Sequence, residues 1–380
     1  MLAPMQARVL VLGAGFGGLE LASVLSDELG AEADVTLIDE EEGFVFGYSK
    51  LDLLFGRASV DSVRLPYSGV SKPGVRFVRD SITAIDPDAR SVVTGDGTYE
   101  ADALVIALGA AYDLDATPGL AEAGEYYSVA GAARLAEAVQ GFTSGRAIIA
   151  VCGAPFKCPP APSETALLLD EHLSDRGVRG DCEISLVMPL ATPVPPSPEA
   201  SEALLAAFAE RGIEFAGESR IAAVDPKRRV LVLDDGGEMP YDLLLGVPKH
   251  RAPRVVLASG IAEDGYVPVD PKTLRTRYPG VYAVGDVAAL GIPKAGVLAE
   301  GAARAVAASL IADLRGEEAP GPYDGRGSCY VEFGAGKVGR VDVDFLSGPK
   351  PATVFHPPSE AIAADKRRFG ASRRQRWFGG

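Results

Sequence analysis

Short apolar runs alternate with amphipathic segments along most of the chain, a pattern typical of α/β folds with parallel sheets. The first run, at 8–12, leads into a glycine-rich turn, a helical pattern that continues through Leu29, and a second run at 34–39. The stretch after Gly43 has no clear period, and we interpret it as irregular. Further strands are predicted near 75–78, 81–85, 91–94 and 103–107.

A second unit of strand, turn, helix and strand is predicted to begin at 147–151. Its remaining elements are a helix near 163–176, a strand at 183–188, a proline-rich loop at 189–198, a helix at 201–211, and strands near 221–224 and 230–233. The chain then returns through GVYAVGD at 280–286 to an alanine-rich helix at 296–314. A hairpin is predicted from 328–333 and 338–345, turning at 334–336.

The first glycine-rich turn, GAGFGG at 13–18, lies between an apolar strand and a helix. Gly13 would make the turn, Gly15 would let the backbone approach a pyrophosphate, and Gly18 would let the helix pack on the strand. The helix N-terminus then receives the phosphates, and Asp39 at the end of the second strand can bind a ribose diol. A turn without a ligand is the alternative, which the complete strand–helix–strand context disfavours.

The second unit departs from that pattern at RAIIAVCGAPFKCPPAP, residues 146–162. Gly153 alone stands where three glycines are expected, and Pro159 and Pro160 each lack a backbone N–H. Cys158 lies on this loop, a poor position for a core cysteine. Lys157 and the following helix N-terminus are expected to lower the pKa of a nearby thiol. The sequence therefore predicts thiol chemistry here in place of nucleotide binding.

Charge and composition restrict the function. The formal net charge of −15 disfavours binding to nucleic acid. Four cysteines are too few for a disulfide scaffold, and no cysteine or histidine spacing matches a metal site. Cys152 and Cys182 border apolar strands and are predicted to be core residues. From the residues alone, the position of Cys329 on a strand favours an inert buried cysteine.

Together these motifs resemble the two-dinucleotide-binding-domain flavoproteins over nearly the whole chain. ALVIALGA at 103–110 and VYAVGDVA at 281–288 follow the first turn in the family's order, although Leu108 stands where the family usually has threonine. The resemblance implies FAD in the first domain. The residues predicted to bind it are Gly13, Gly15, Phe16, Gly17, Gly18, Asp39, Ile82, Ala107, Gly109, Gly285, Asp286 and Lys294.

Two of these positions have alternatives. Asp286 is expected near the ribityl chain or pyrophosphate, but a Gly-Asp pair after a strand is also a common turn. Lys294 precedes the alanine-rich helix, whose N-terminus would favour an anionic reduced flavin. Lys294 would add positive charge there or would be a solvated loop residue.

Two strings, PFKCPPAPSE at 155–164 and CYVEFGAGKVG at 329–339, are similar to sulfide:quinone oxidoreductases and to the flavoprotein subunit of flavocytochrome c sulfide dehydrogenase. The resemblance implies a redox pair, Cys158 and Cys329. Sulfide, or a related thiol or persulfide, would attack their disulfide, and two electrons would pass through FAD to a quinone or redox protein. Glu164 would accept a proton, or it would be a stabilising first-turn acid.

Two other functions remain open at this point. One is an NAD(P)H-dependent flavin oxidoreductase related to type II NADH dehydrogenases or ferredoxin reductases. The other is a non-catalytic electron-transfer flavoprotein subunit. Residues 112–140 contain no cysteine, so a covalently linked FAD is not expected.

The C-terminal tail is basic, with six Lys or Arg against one Asp in DKRRFGASRRQR, 365–376. It predicts either a membrane-surface segment or a tail folded over the flavin or an acidic surface. Gly370 and Ser372 weaken a continuous helix, which favours the second alternative. The N-terminus lacks the layout of a cleavable signal, which predicts a cytoplasmic protein, with any peripheral contact at the inner face of the membrane.

The fold class predicted from these observations is α/β, with two Rossmann-like domains, a small C-terminal β-hairpin and a tail. The predicted boundaries are 1–112 and 256–320 for the two parts of the FAD-binding domain, 113–255 for a degenerate NAD(P)-binding-like domain, and 321–380 for the hairpin and tail.

Overall fold

Two parallel sheets form the centre of the molecule, which a computed structural model describes for residues 7–32, 34–318 and 321–379. The first sheet has five parallel strands, in the spatial order Val281–Ala283, Ala103–Ile106, Arg8–Leu12, Asp34–Asp39 and Val75–Arg79. The return of the chain at Val281 therefore adds the last strand to a sheet begun at Arg8.

The second sheet has four parallel strands, in the order Ile213–Ala216, Cys182–Val187, Gly145–Val151 and Leu243–Val247. Two parallel sheets with helices confirm the predicted α/β fold with two Rossmann-like units. The exact domain boundaries remain a prediction.

Smaller antiparallel sheets flank these two. Their strands are Gly43–Val45 with Arg64–Pro66; Ile82–Asp86, Ser91–Thr94 and Thr98–Glu100; Ala111–Asp113 with Lys249–Arg251; Ile221–Asp225, Val230–Leu233 and Glu238–Pro240; and Arg326–Gly334, Lys337–Asp344 and Ala352–Ser359. Val267–Pro268 and Ala288–Ala289 form a short parallel pair.

The α-helices are Phe16–Leu29, Ser49–Leu54, Val60–Val63, Leu120–Ala123, Val129–Gly141, Ala161–Asp175, Pro198–Arg211, Arg254–Ala258, Gly296–Arg315 and Glu360–Phe378. Four of them recur below: the first helix (Phe16–Leu29), the thiol helix (Ala161–Asp175), the long helix (Gly296–Arg315) and the tail helix (Glu360–Phe378).

The structure contains elements that the sequence pattern did not indicate. The stretch after Gly43, interpreted as irregular, forms two short antiparallel strands with two helices between them. The helix Val129–Gly141 and the strand Leu243–Val247 were also missed. The predicted hairpin is present, but it is extended by a third strand, Ala352–Ser359. The elements after Gly43 are short and Leu243–Val247 is buried throughout, so their sequences lack a clear period, whereas Val129–Gly141 buries one face and has a helical period.

The tail forms one continuous helix, and the predicted weakening at Gly370 is wrong. A Cβ atom at residue 370 would lie 2.3 Å from the Tyr48 hydroxyl oxygen, so glycine allows the tail helix to approach Tyr48 closely. Near its end, Trp377 is 1% exposed and packs edge-on against Phe16, with ring centroids 5.5 Å apart. The tail therefore folds onto its own chain.

Two buried carboxylates hold the tail helix in place. Glu20 on the first helix accepts hydrogen bonds from Trp377 Nε1 at 2.8 Å and from Arg376 at 2.9 Å. Glu300 on the long helix accepts one from Arg373 at 2.9 Å. Burial alone would raise the pKa of Glu20, but its hydrogen bonds to Trp377 and the arginines outweigh burial and lower it. The tail cations thus neutralise acids that are costly to bury unpaired.

Across residues 7–32, 34–318 and 321–379, no helix combines the length and apolar character that a bilayer crossing needs.

We predict that Trp377→Ala releases the tail helix. Removing a buried tryptophan costs about 3–5 kcal/mol, and the Glu20 carboxylate loses a donor as well. Hydrogen exchange should show faster amide exchange across Glu360–Phe378, with the central sheets unchanged. Val354→Ala, at a residue whose surface is 55% exposed, is the control. Unchanged exchange in the tail would contradict the anchoring role of Trp377.

Candidate functional site

A deep cavity lies between the first sheet, the second unit and the segment after Gly43. The residues that line it come from six parts of the chain: Gly15, Phe16 and Gly17; Phe44, Val45, Gly47, Tyr48, Lys50 and Leu51; Ala107 and Gly109; Tyr126 and Tyr127; Lys157, Cys158, Ala161 and Glu164; and Val284, Gly285, Asp286, Lys294, Ala295, Gly296 and Ala299.

Two helix N-termini point into this cavity. The first helix begins after Gly15 and the long helix after Ala295, and among the described residues no side chain caps either start. Neither helix has an acid in its first turn. Free N–H groups and the positive ends of two helix dipoles therefore meet at one place, which suits an anionic ligand.

Close contacts explain two of the glycines of the first turn. A Cβ at residue 13 would lie 2.5 Å from the Ala107 carbonyl oxygen, and Gly13 has a φ of +98°. A Cβ at residue 18 would lie 1.8 Å from the Gly13 carbonyl oxygen. At Gly15, by contrast, a Cβ would meet no atom within 4 Å. Gly13 and Gly18 thus shape the turn, while Gly15 opens onto the cavity.

Asp39 and Ile82 do not line the cavity. One carboxylate oxygen of Asp39 accepts the Ala14 N–H at 2.6 Å, which ties the second strand to the glycine turn. Ile82 begins a strand of a small antiparallel sheet and packs against the core of the first domain. Their predicted contacts with a cofactor stay predictions.

Lys294 is half-buried and directed into the site rather than solvated. Its Nζ donates to the Asp286 carbonyl oxygen at 2.6 Å and lies 3.7 Å from the centre of the Tyr266 ring. Burial lowers the pKa of Lys294 to about 8, although the negative charge of Asp286 acts to raise it. Burial also raises the pKa of Asp286, which Lys157 and Lys294 partly offset.

The loop that carries Cys158 is joined to the loop that carries Lys294. The Cys158 N–H donates to the Lys294 carbonyl oxygen at 2.8 Å, and Lys157 and Lys294 form a parallel β-bridge. Cys158 has a φ of +51°, unusual for a residue with a side chain. The positive φ supports a functional constraint on this loop.

Cys329 and Glu164 lie on two neighbouring elements. Cys329 is in the strand Arg326–Gly334, an edge strand that packs against the thiol helix. Glu164, 2% exposed, is in the first turn of that helix and accepts the Glu332 N–H at 2.9 Å. Glu164 therefore satisfies a main-chain donor at the open edge of the strand. Two turns later on the same helix, Glu171 accepts the N–H of Ala335, in the hairpin turn, at 2.7 Å.

The structure brings the three predicted catalytic residues into one electrostatic group. The charge of Glu164 acts on both Cys158 and Cys329, and the two thiols are free. Cys158 borders the main cavity, whereas Cys329 borders a small apolar cavity that is also lined by Pro159, Pro160 and Pro293.

The predicted lowering of the Cys158 pKa is wrong. Although the Cys158 residue is exposed to solvent, desolvation of its thiol by the surrounding chain raises the pKa, and the charges of Glu164 and Cys329 raise it further. Burial and Glu164 raise the pKa of Cys329 to about 12. Lys157 points elsewhere, with its Nζ 3.3 Å from the Ala110 carbonyl oxygen and 4.5 Å from the centre of the Tyr112 ring. Burial also raises the pKa of Glu164, to about 7.

Sequence reasoning missed several groups near this site. Lys366 of the tail helix is 8% exposed, forms an ion pair with Glu332 and lies near enough to Glu164 to lower its pKa. Tyr126 and Tyr127 line the cavity and are buried. Their doublet and the basic tail were visible in the sequence, but nothing local indicated that they would reach the thiols.

The start of the thiol helix is unsuited to a pyrophosphate. Pro160 is its N-cap, Pro162 is in its first turn, and the buried Glu164 carboxyl follows. A Cβ at Gly153 would lie 2.9 Å from the Lys249 Cβ, so this glycine is used for chain packing. Cys152 and Cys182 are buried in core clusters, as predicted from their strands. The described residues contain no His, Cys, Asp or Glu cluster suited to a metal.

Comparison with known proteins agrees with this arrangement. A family model described as pyridine nucleotide-disulphide oxidoreductase matches residues 7–309. The mitochondrial sulfide:quinone oxidoreductase of Mus musculus is 28% identical over 375 residues, covering 93% of this chain and 82% of that protein. An NADH dehydrogenase-like protein of Mycobacterium tuberculosis is 30% identical over 306 residues, covering 74% of this chain and 73% of that protein.

A solved structure shares the fold. The sulfide:quinone oxidoreductase of Aquifex aeolicus superposes with a TM-score of 0.87 at 24% identity, covering 98% of this chain and 92% of that one. The comparisons contradict the predicted cytoplasmic location, because three relatives, the mouse protein among them, are named as mitochondrial.

We predict that Gly15→Val leaves the fold intact but lowers flavin affinity at least tenfold, equivalent to about 1.4 kcal/mol. A Cβ at residue 15 would meet no protein atom within 4 Å, and the valine side chain would extend into the mouth of the cavity beside the helix N-terminus. Flavin retention during gel filtration and thermal unfolding test this. Gly180→Ala, also without a nearby atom, is the control. Full flavin retention in Gly15→Val would place the cofactor elsewhere.

We also predict a pH-dependent stability difference between the protein and Glu164→Gln. The pKa of Glu164 is raised by burial, to about 7 from 4.5. The folded chain therefore holds this proton longer than the unfolded chain, and it loses stability as pH rises from about 4.5 through 7. Glu164→Gln should lack this loss. Urea unfolding at several pH values measures it.

Glu171→Gln provides the matched control, because Glu171 also accepts a main-chain N–H, from Ala335 in the hairpin turn, but its carboxylate reaches solvent. If the free energies of unfolding of the protein and of Glu164→Gln changed with pH in parallel, the Glu164 carboxyl would ionise without cost and the prediction would be wrong.

Proposed function

The chain belongs to the pyridine nucleotide-disulphide oxidoreductase family, whose members are flavin-dependent oxidoreductases, and we propose that it oxidises sulfide and reduces a quinone, with FAD as its flavin. One observation carries the proposal: Cys158 and Glu164 line the cavity that the first glycine-rich turn also lines, and the charge of Glu164 acts on both Cys158 and Cys329. Relatives named as sulfide:quinone oxidoreductases support it over most of the chain.

The residues around the cavity fit FAD. Gly15, Phe16 and Gly17 at the start of the first helix would hold the pyrophosphate, because that helix supplies free N–H groups. Lys294 and the start of the long helix would hold the electron-rich end of the ring system. FAD supplies the two-electron acceptor in such a site.

The thiol step that we propose conserves atoms and electrons. The sulfide sulfur bonds to one sulfur of a Cys158–Cys329 disulfide, the bond between the two cysteine sulfurs breaks, and the other cysteine leaves as a thiolate. The first cysteine then carries a persulfide. The proton released from H₂S passes to Glu164, whose pKa of about 7 suits a general base near neutral pH.

The raised pKa values of the two thiols affect the next step. Since the pKa of each thiol is raised, a thiolate formed here is strongly nucleophilic. The site therefore disfavours a thiolate before sulfide reacts, and a thiolate that forms during the reaction readily donates its electron pair. Quinone as the final acceptor is proposed from the names of the relatives.

An NAD(P)H-dependent reaction is less well supported. The relative from Mycobacterium tuberculosis is named as NADH dehydrogenase-like. In this chain, however, the second unit begins its helix with Pro160, Pro162 and buried Glu164, which leaves little room or charge for a pyrophosphate. We therefore propose that electrons enter from sulfide.

We predict that sulfide, added without oxygen, rapidly bleaches the visible flavin absorbance and that NADH does not. Cys158→Ser and Cys329→Ser should each slow bleaching by sulfide by at least about a hundredfold, because either change prevents the disulfide. Stopped-flow absorbance measures the rates.

Cys182→Ala is the control, since Cys182 lies in the core of the second unit. Fast bleaching by NADH, or full sulfide reactivity in both serine variants, would overturn the proposed function.

A further inference from the structure

The tail helix reaches the thiol site through a single buried lysine. Lys366 Nζ pairs with a carboxylate oxygen of Glu332 and lies 5.0 Å from the centre of the Tyr48 ring. Only 8% of Lys366 is exposed. A buried lysine needs such partners, because an isolated ammonium group is costly to remove from water.

Glu332 connects this lysine to Glu164. Its side chain takes the ion pair with Lys366, while its main-chain N–H donates to Glu164 at 2.9 Å. Successive side chains of a strand point to opposite faces. In the strand Arg326–Gly334, Tyr330 and Glu332 meet the tail helix, at Phe369 and Lys366, while Val331 packs into the core that includes the thiol helix.

We propose that Lys366 is a positioning residue of the thiol site, and that docking of the tail helix sets the reactivity of Cys158 through the charge of this lysine. The inference deepens the proposed function, since it assigns regulation of the same cysteine pair to the tail. Lys366 acts through its ion pair with Glu332 and through its own electrostatic field, and it takes no part in making or breaking bonds.

The charges that face Glu164 support this assignment. They are the thiols Cys158 and Cys329, the carboxylate of Glu332, and the cations Lys366 and Arg57. Burial raises the pKa of Glu164 and Lys366 opposes that rise; Lys366 also lowers the pKa of Cys158. Arg57 is 41% exposed and paired with Asp52, so solvent screens its effect.

The position of Lys366 depends on contacts far from the thiols. Trp377 and Arg376 bind Glu20, and Arg373 binds Glu300, on the two helices whose N-termini border the main cavity. Undocking the tail would therefore remove the cation from Glu332 and Glu164 together. The tail helix therefore connects Glu164 with the first helix and the long helix, whose N-termini border the main cavity.

The test measures alkylation of Cys158 in the reduced, flavin-loaded protein. Iodoacetamide is the probe, and site-resolved mass spectrometry gives the rate constant from pH 6 to about 9.5. Four proteins are compared: the unmodified chain, Lys366→Met, Lys366→Arg and the control Lys337→Met. Lys337 is an exposed lysine, and it lines a second cavity, beside the tail helix, that Lys366 also lines.

We expect Lys366→Met to slow Cys158 alkylation at least about fivefold at a fixed pH, because the thiolate fraction falls about tenfold for each unit by which the thiol pKa rises. The inflection caused by Glu164, near pH 7 in the unmodified chain, should move to higher pH. Lys366→Arg should restore both features, and Lys337→Met should match the unmodified chain. Trp377→Ala, which releases the tail, should reproduce the Lys366→Met profile.

An unchanged alkylation profile in Lys366→Met, with the tail shown to be docked by hydrogen exchange, overturns the inference and leaves the proposed function standing. A shifted profile in a protein whose flavin does not respond to sulfide supports the role of Lys366 and overturns the proposed function. The two failures are thus separate.

Discussion

The short junction between the Cys158 loop and the Lys294 loop is the contact on which the site depends. A main-chain hydrogen bond of 2.8 Å and one β-bridge join the second unit to the segment that opens the long helix. Because the bond uses backbone atoms, it fixes the position of Cys158 whatever the neighbouring side chains are. It also places the thiol, Lys294 and a helix N-terminus around the same cavity. The left-handed backbone of Cys158 is tolerated because this junction holds the loop at the Cys158 N–H.

Features encoded by neighbours along the chain could be predicted from the sequence. The roles of Gly13, Gly15 and Gly18 follow from local geometry, and the structure shows the close contacts that exclude side chains at Gly13 and Gly18. The two parallel sheets and the hairpin follow from apolar periodicity and turn residues. The missing glycines after the strand Gly145–Val151 likewise pointed to altered chemistry in the second unit.

Features that depend on packing could not be predicted in this way. The pKa of Cys158 was expected to fall because Lys157 is adjacent in sequence, yet Lys157 turns toward Tyr112, and desolvation of the thiol together with the charge of Glu164 raises the pKa. Lys366 is about two hundred residues from Cys158 along the chain, and no local pattern indicates that they meet. The tail helix continues through Gly370, where the missing side chain lets it pack closely against the Tyr48 hydroxyl, and helix propensity alone cannot predict this contact. Tertiary contacts, rather than local preferences, decide the electrostatics of the site.

The register of the strand Arg326–Gly334 limits which insertions and deletions this site can accept. It pairs Cys329 with Val341 and Glu332 with Val338, and a bulge follows before the hairpin turn. A slip of one residue in a strand moves every side chain to the opposite face. Such a slip would turn Cys329 toward the tail and carry Glu332 toward the thiol helix, exchanging a nucleophile for an acid. Insertions and deletions near the hairpin turn should therefore be tolerated only when they preserve the parity of this strand, so that sequence length here is under chemical as well as structural selection.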